Sequence, residues 1–243
     1  MAMLDDSKLG NIAVWWMDVG SSPAEMTTPW SVCLDAAERA RAARFRFQED
    51  RLTYIAAHWL LRTALASVTG RPAADWRFIV EKQGKPRIDP GDGVPELRFN
   101  LSHTRGFVAC AICIGSEIGI DVETFATERA DLDIAARHFS PSEVAILRST
   151  ALDRQPVVFF RFWTLKEAFI KATGQGLSRA LDSFSFSLDP VSIALPEGEA
   201  NEAVQWQFVE VRPTARHFLA VAIHRPPCAP GSLIICPVDP CRG

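Results

Sequence analysis

The sequence predicts an α+β fold of two pseudo-symmetric lobes. Each lobe is a small, mostly antiparallel sheet packed on a long helix, with the active site in the cleft between them. Three observations lead there. Two long helix-favouring stretches, about 50–69 and 157–173, each stop at a glycine, Gly70 and Gly174, where a left-handed helix end is easily made. Each is preceded by a capping box, Asp35-Ala36-Ala37-Glu38 and Ser140-Pro141-Ser142-Glu143, the second with proline at the first helical position. Each is followed by several strand-like runs. The order strand, capped helix, long helix, strands therefore occurs twice, as a duplication of elements rather than of residues. The boundaries that follow are an N-terminal lobe 1–116, a C-terminal lobe 117–224 and a Pro-rich tail 225–243.

Residues 11–19 read as an opening strand and Ser21 to Pro29 as a loop. The helix that Asp35 caps is basic, since Arg39, Arg41, Arg44 and Arg46 follow closely. The next helix carries an apolar stripe of Leu52, Ile55, Trp59 and Leu65, and Pro72 lies just past its glycine. Trp76 to Val80 is a strand, Gln83-Gly84 a turn, and Pro90 to Pro95 a Gly/Pro loop. Leu97 to Leu101 and Phe107 to Ile114 are strands. In the second half, Ile118 to Val122, Ser183 to Leu188, Val191 to Leu195, Val204 to Val211 and His217 to Ile223 are strands, with a turn at Asp189-Pro190. The tail from Arg225 is expected to be poorly ordered.

Composition narrows the function. Hydrophobic residues make up 48% of 243, enough for a substantial core, and the net charge of −3 gives no global attraction for nucleic acid. Met1 to Gly10 lacks an apolar core for a signal peptide. The run Phe107 to Ile114 is far too short to span a bilayer. A soluble, cytoplasmic protein without membrane or nucleic-acid partners is expected. Cys110 and Cys113 have a C-x-x-C spacing, but on a strand an odd separation puts them on opposite faces, so core packing is expected. Cys228, Cys236 and Cys241 are expected to be reduced thiols.

The chemistry concentrates in few places. The helix ending at Gly174 is apolar on every side and therefore expected to be buried. Glu167 and Lys171 interrupt it at i and i+4, so they point the same way, beside Trp163. An internal Glu–Lys ion pair and a functional pair both remain open. In Ile118-Gly119-Ile120-Asp121-Val122-Glu123, Asp121 and Glu123 share a strand face, about 7 Å apart at Cα. Two such carboxylates can hold one hard cation such as Mg²⁺, or simply form a polar strand face. Gly119 on that face is expected to leave room for a ligand. Ser102 and His103 are adjacent on a strand and point apart, which disfavours a hydrolase dyad but suits phosphate oxygens or a plain turn. Lys85 follows Gly84 on a tight turn, and the arginine group is either a solvated helix face or a phosphate anchor. Together, one acidic cation candidate, a Glu–Lys pair on a buried helix and three basic or polar elements suit a magnesium-bound, multiply phosphorylated substrate.

These stretches resemble the surfactin-synthetase type of 4′-phosphopantetheinyl transferase. The matching pieces are Gly84-Lys85-Pro86, Phe99-Asn100-Leu101-Ser102-His103, Gly119-Ile120-Asp121-Val122-Glu123, the run Trp163 to Lys171, and Gly174-Gln175-Gly176-Leu177. They stand in the family's order and span roughly residues 35–190. The resemblance implies coenzyme A in the cleft and Mg²⁺ gathered by Asp121, Glu123 and Glu167 at its pyrophosphate. Glu167 is then the base that activates a carrier-protein serine, with a metal-bound water as an alternative relay. The serine oxygen attacks the β-phosphate, and Lys171 neutralises or protonates the departing 3′,5′-ADP. By the same resemblance Lys85, Pro86, Ser102 and His103 lie at the nucleotide, His103 on its 3′-phosphate. Arg41 falls near a basic position for that phosphate, with Arg44 as the alternative. Apo acyl-, peptidyl- or aryl-carrier proteins are the implied partners, and a monomer is self-sufficient.

Two rivals belong to other classes: a coenzyme A or carrier-binding module without catalysis, and a Ser102/His103 hydrolase. The full carboxylate set with Lys171 argues against the first. The absence of a Gly-x-Ser-x-Gly elbow at Ser102 argues against the second.

Overall fold

The computed structural model describes residues 12–20, 27–81, 84–92, 97–126, 130–225 and 233–238. The chain divides into two compact units, Met1–Gly115 with Pro230–Gly243, and Ser116–Ala229. Both mix helix and sheet, an α+β architecture. Among the described residues, no helix is long and apolar enough to cross a membrane.

The first unit holds β1 (Ile12–Asp18), α1 (Thr27–Ser31), α2 (Ala36–Ala42), α3 (Gln48–Thr69), β2 (Phe78–Val80), β3 (Pro86–Ile88), β4 (Leu97–Thr104) and β5 (Phe107–Ile114). A further strand comes from the end of the chain, β11 (Leu233–Pro237). Its main sheet has the order β11-β1-β5-β4, with β11 parallel to β1 and the other pairs antiparallel. β1 and β5 are the inner strands, which is why their sequences are almost continuously apolar rather than alternating. α3 ends at Gly70, whose φ of 73° is the left-handed stop expected there. Ile55, Trp59, Leu60 and Leu65 of α3 pack with Trp15 and Met17 of β1 and Cys110 and Ile112 of β5. Each such buried side chain contributes about 1.5–3 kcal/mol. Trp30 of α1 meets Trp59 with ring centroids 5.7 Å apart.

Cys110 belongs to that core while Cys113, equally buried, does not, as opposite strand faces require. Burial pushes the Cys110 thiol upward, against a hydrogen bond from the Trp15 backbone, and so makes it unreactive. The four described cysteines, Cys33, Cys110, Cys113 and Cys236, are free. Cys228 and Cys241 lie outside the described residues, as do residues 21–26 of the expected first loop and Gln83 of the expected turn.

The second unit holds β6 (Ile118–Thr124), α4 (Leu132–His138), α5 (Pro141–Ser149), α6 (Gln155–Thr173), β7 (Ser185–Leu188), β8 (Val191–Ala194), α7 (Ala200–Ala203), β9 (Trp206–Thr214) and β10 (His217–His224). Its main sheet is antiparallel, β6-β10-β9, with β7-β8 as a separate hairpin. α6 lies against β6 and β10. Its buried residues run all round the helix, from Phe159 to Ala172, and Gly174 closes it at φ 68°. Phe139 of the α4–α5 junction, Phe184 and Phe186 of the hairpin side, and Phe218 of β10 complete this core.

Several expectations are corrected. The loop expected to Pro29 gives way to α1 from Thr27. The basic helix ends at Ala42, so Arg44 and Arg46 lie in the turn before α3. α4 was not expected at all; Asp131 caps it by accepting from the Asp133 N–H at 2.8 Å. The Pro-rich tail is not a separate ending: Leu233 to Pro237 pair with Ile12 to Trp16, and β11 belongs to the first unit. Backbone pairing with β1 completes an available sheet edge there.

Candidate active site

β6 and α6 bring the acidic and basic candidates together. Asp121 points from β6 toward α6, and Lys171 on the last turn of α6 places its Nζ 2.6 Å from Asp121 Oδ1. Asp121 is 4% exposed. Lys171 thus pairs across two elements with Asp121. Glu167, one turn before Lys171, has its carboxyl pushed up by burial and by the Asp121 charge, and Lys171 only partly offsets this. Two carboxylates and one ammonium therefore share the site. Glu123 sits two residues along the same strand, opposite Phe218 of β10, and is half-buried.

Gly119 explains how α6 comes so close. A Cβ on it would lie 2.1 Å from the Ala168 carbonyl oxygen and 2.4 Å from the Ala172 nitrogen. Expected to leave room for a ligand, Gly119 instead leaves room for the helix backbone. That close approach lets a strand carboxylate and a helical lysine meet.

Lys166 was not singled out from the sequence, yet it fixes α6. It is fully buried, and its Nζ lies 2.8 Å from Glu143 Oε2. It also donates to the Leu181 and Phe184 carbonyls at 2.7 and 2.8 Å. Glu143 keeps its capping role, accepting from the Ser140 N–H at 2.8 Å, and takes the Phe186 N–H at 2.8 Å. Burial lowers the Lys166 ammonium below the usual lysine range, against the pull of Glu143. The signal available in the sequence was a lysine within an all-round apolar helix, which demands a buried partner.

The residues expected at the nucleotide belong to the first unit. Ser102 and His103 lie on opposite faces of β4, Ser102 buried and His103 exposed, so they form no nucleophile–base dyad. Lys85 is half-buried beside Gly84, which takes φ 88°, and Pro86 opens β3. Arg41 is exposed on α2 with its Cζ 5.6 Å from the Tyr54 ring centroid. Arg44 is exposed in the following turn.

Among the described residues, no three His, Cys, Asp or Glu side chains already converge as a ligand set. The donors nevertheless fit a hard cation. Both are carboxylates, their mutual repulsion is visible at Glu167, and an ammonium already answers the demand for positive charge at Asp121.

Comparison with known proteins follows the same division. Residues 117–222 match a family described as the 4′-phosphopantetheinyl transferase superfamily, and residues 22–114 match one described as 4′-phosphopantetheinyl transferase, N-terminal. The chain is 33% identical to the 4′-phosphopantetheinyl transferase HetI of Nostoc over 86% of each chain. It is 39% identical to a 4′-phosphopantetheinyl transferase of Bacillus subtilis, covering 68% of this chain and 72% of that one. To the transferase Sfp of Bacillus subtilis strain 168 it is 36% identical, over 67% of this chain and 71% of that one. With its carboxylates and lysine set on β6 and α6, inside the matched 117–222 stretch, the chain belongs to the surfactin-synthetase type of the 4′-phosphopantetheinyl transferase superfamily and is a phosphopantetheinyl transferase.

Proposed function

We propose that the protein transfers 4′-phosphopantetheine from coenzyme A to a serine hydroxyl of an apo acyl- or peptidyl-carrier protein, releasing 3′,5′-ADP. The observation that carries this reading is the Asp121–Lys171–Glu167 arrangement within a chain of this family. Asp121, Glu123 and Glu167 would hold Mg²⁺, which when bound supplies charge neutralisation at the pyrophosphate. Glu167 takes the serine proton as general base. The serine oxygen forms a bond to the β-phosphorus, and the bridging bond to the α-phosphate breaks. Lys171 neutralises the charge that this break leaves on 3′,5′-ADP. Lys85, Pro86, Ser102, His103 and either Arg41 or Arg44 are assigned to the nucleotide. The protein would act as a cytoplasmic monomer.

The test is intact-mass spectrometry of an apo carrier protein incubated with this protein, coenzyme A and Mg²⁺. A gain of one phosphopantetheinyl group, lost with chelator and lost in Asp121→Ala, is expected. Near-normal transfer by a folded Asp121→Ala protein would refute the site. So would coenzyme A binding without transfer to any of several carrier types.

A further inference from the structure

Arg41 is held in a closed ring of contacts between two helices. On α2, Glu38 and Arg41 lie one turn apart; on α3, Tyr54 and His58 do the same. The Arg41 guanidinium lies over Tyr54 at 5.6 Å, and the Tyr54 and His58 rings are 4.3 Å apart. His58 Nδ1 is 2.8 Å from Glu38 Oε1, which returns the chain of contacts to α2. Beneath this ring Arg62, fully buried, donates from Nε to Glu38 Oε2 at 3.0 Å and from Nη1 to the Ala73 and Trp76 carbonyls at 3.1 and 2.9 Å.

A seven-residue helix such as α2 has little stability of its own. Glu38 and Ala42 are its buried residues, so Glu38 largely sets how it lies. The charge of Glu38 is spent on His58, Arg62 and the Asp35 N–H. Arg41, by contrast, has no carboxylate partner among the described residues, and neither has Arg44. The two differ in constraint: Arg41 is laid on a ring, while Arg44 is exposed without a ring contact. A fixed cation loses less freedom on binding an anion.

We propose that Glu38, His58 and Tyr54 are positioning residues for Arg41, making Arg41 rather than Arg44 the preorganised cation for the 3′-phosphate of coenzyme A. This rests on the coenzyme A reading above. Tyr54 and Glu38 act through Arg41 and do not touch the reacting atoms.

The experiment measures KM and kcat with coenzyme A and with 3′-dephospho-coenzyme A for Arg41→Ala, Arg44→Ala, Glu38→Gln, Tyr54→Leu and Tyr54→Phe. Arg41→Ala raises KM for coenzyme A but not for the dephospho substrate. Tyr54→Leu and Glu38→Gln do the same to a smaller degree, about two- to fivefold as expected for one cation–ring contact, with kcat kept. Tyr54→Phe, which retains the ring, recovers most of the affinity that Tyr54→Leu loses. If Glu38→Gln does not fold, the Tyr54 pair still decides, because it leaves the Glu38–Arg62 bond intact. Equal KM increases for both substrates, or none, in Tyr54→Leu and Glu38→Gln beside a phosphate-selective Arg41→Ala would overturn the positioning role alone. A phosphate-selective loss in Arg44→Ala instead would overturn the choice of arginine. No turnover by the unaltered protein would remove the coenzyme A reading itself.

Discussion

Replacing Gly119 with alanine tests how the site is built. The added methyl would sit 2.1 Å from the Ala168 oxygen, 2.4 Å from the Ala172 nitrogen and 2.9 Å from the Ala172 Cα. All three are backbone atoms, which cannot rotate aside as the end of a flexible side chain can. α6 must therefore move off β6 by about 1 Å, with overpacking costs of about 1–3 kcal/mol. The gain from removing a strand glycine offsets only about 0.5–1 kcal/mol. A net loss near 1 kcal/mol corresponds to a fall in Tm of about 2–4 °C for a chain of this size. The same movement separates Asp121 from Glu167 and Lys171, and a displacement of about 1 Å at reacting groups costs on the order of 100-fold in rate. Thermal unfolding followed by circular dichroism, beside the mass assay, reads both quantities. If Gly119 instead made room for substrate, Gly119→Ala would keep its Tm and raise KM. An unchanged Tm would show that helix–strand contact does not set the site.

Three further outcomes are expected. Glu143→Gln leaves the buried Lys166 ammonium without its counter-charge and lowers stability by about 3–5 kcal/mol, read by urea denaturation; a loss below 1 kcal/mol would mean that the carbonyls of Leu181 and Phe184 suffice. Glu167→Gln abolishes transfer but raises the Tm of the metal-free protein. The raised Glu167 carboxyl favours its protonated form, so its contribution to stability is present at low pH and lost as pH rises through its folded pKa. The Gln advantage should therefore grow with pH, and a Tm equal to or below that of the unaltered protein at pH 8 would contradict this. Glu38 behaves oppositely. Burial alone would raise its carboxyl, but the His58 bond and charge, the Asp35 N–H and Arg62 together hold it below the usual range. Its stabilisation is full above the ordinary carboxylate pKa and disappears as pH falls through the folded value. Acid titration of the Tm should flatten in Glu38→Gln, and an unchanged acid limb would remove Glu38 from the linkage.

The legible parts of the sequence were those whose cause is local. The capping boxes at Asp35 and Ser140, the glycine stops at Gly70 and Gly174, and the opposed faces of Cys110 and Cys113 each follow from a few adjacent residues. The Asp121 and Lys171 pairing was half legible. Both residues stood out, but the i, i+4 spacing pointed only to Glu167, whereas Lys171 also reaches Asp121, 50 residues away. Lys166 and Glu143 were hidden for the same reason: a capping glutamate looks satisfied already, and its second bond crosses to another element. Gly119 was misread because the sequence shows that a side chain is missing without showing what fills the space. β11 escaped because its apolar run is short and its partner is the first strand of the chain.

That last pairing has a consequence for how the protein is made. Ile12 and Leu233 stand side by side in one sheet, so the second unit is an insertion between two pieces of the first. During synthesis, β1 must wait for the whole of residues 116–229 to emerge before its outer neighbour exists. Until then an apolar strand edge stands open to other chains, a known route to aggregation. The second unit has all its strands within one continuous segment and can fold while the first is still missing an edge. Residues that follow the second unit therefore complete the sheet begun by residues that precede it, and damage near Leu233 is felt at Ile12.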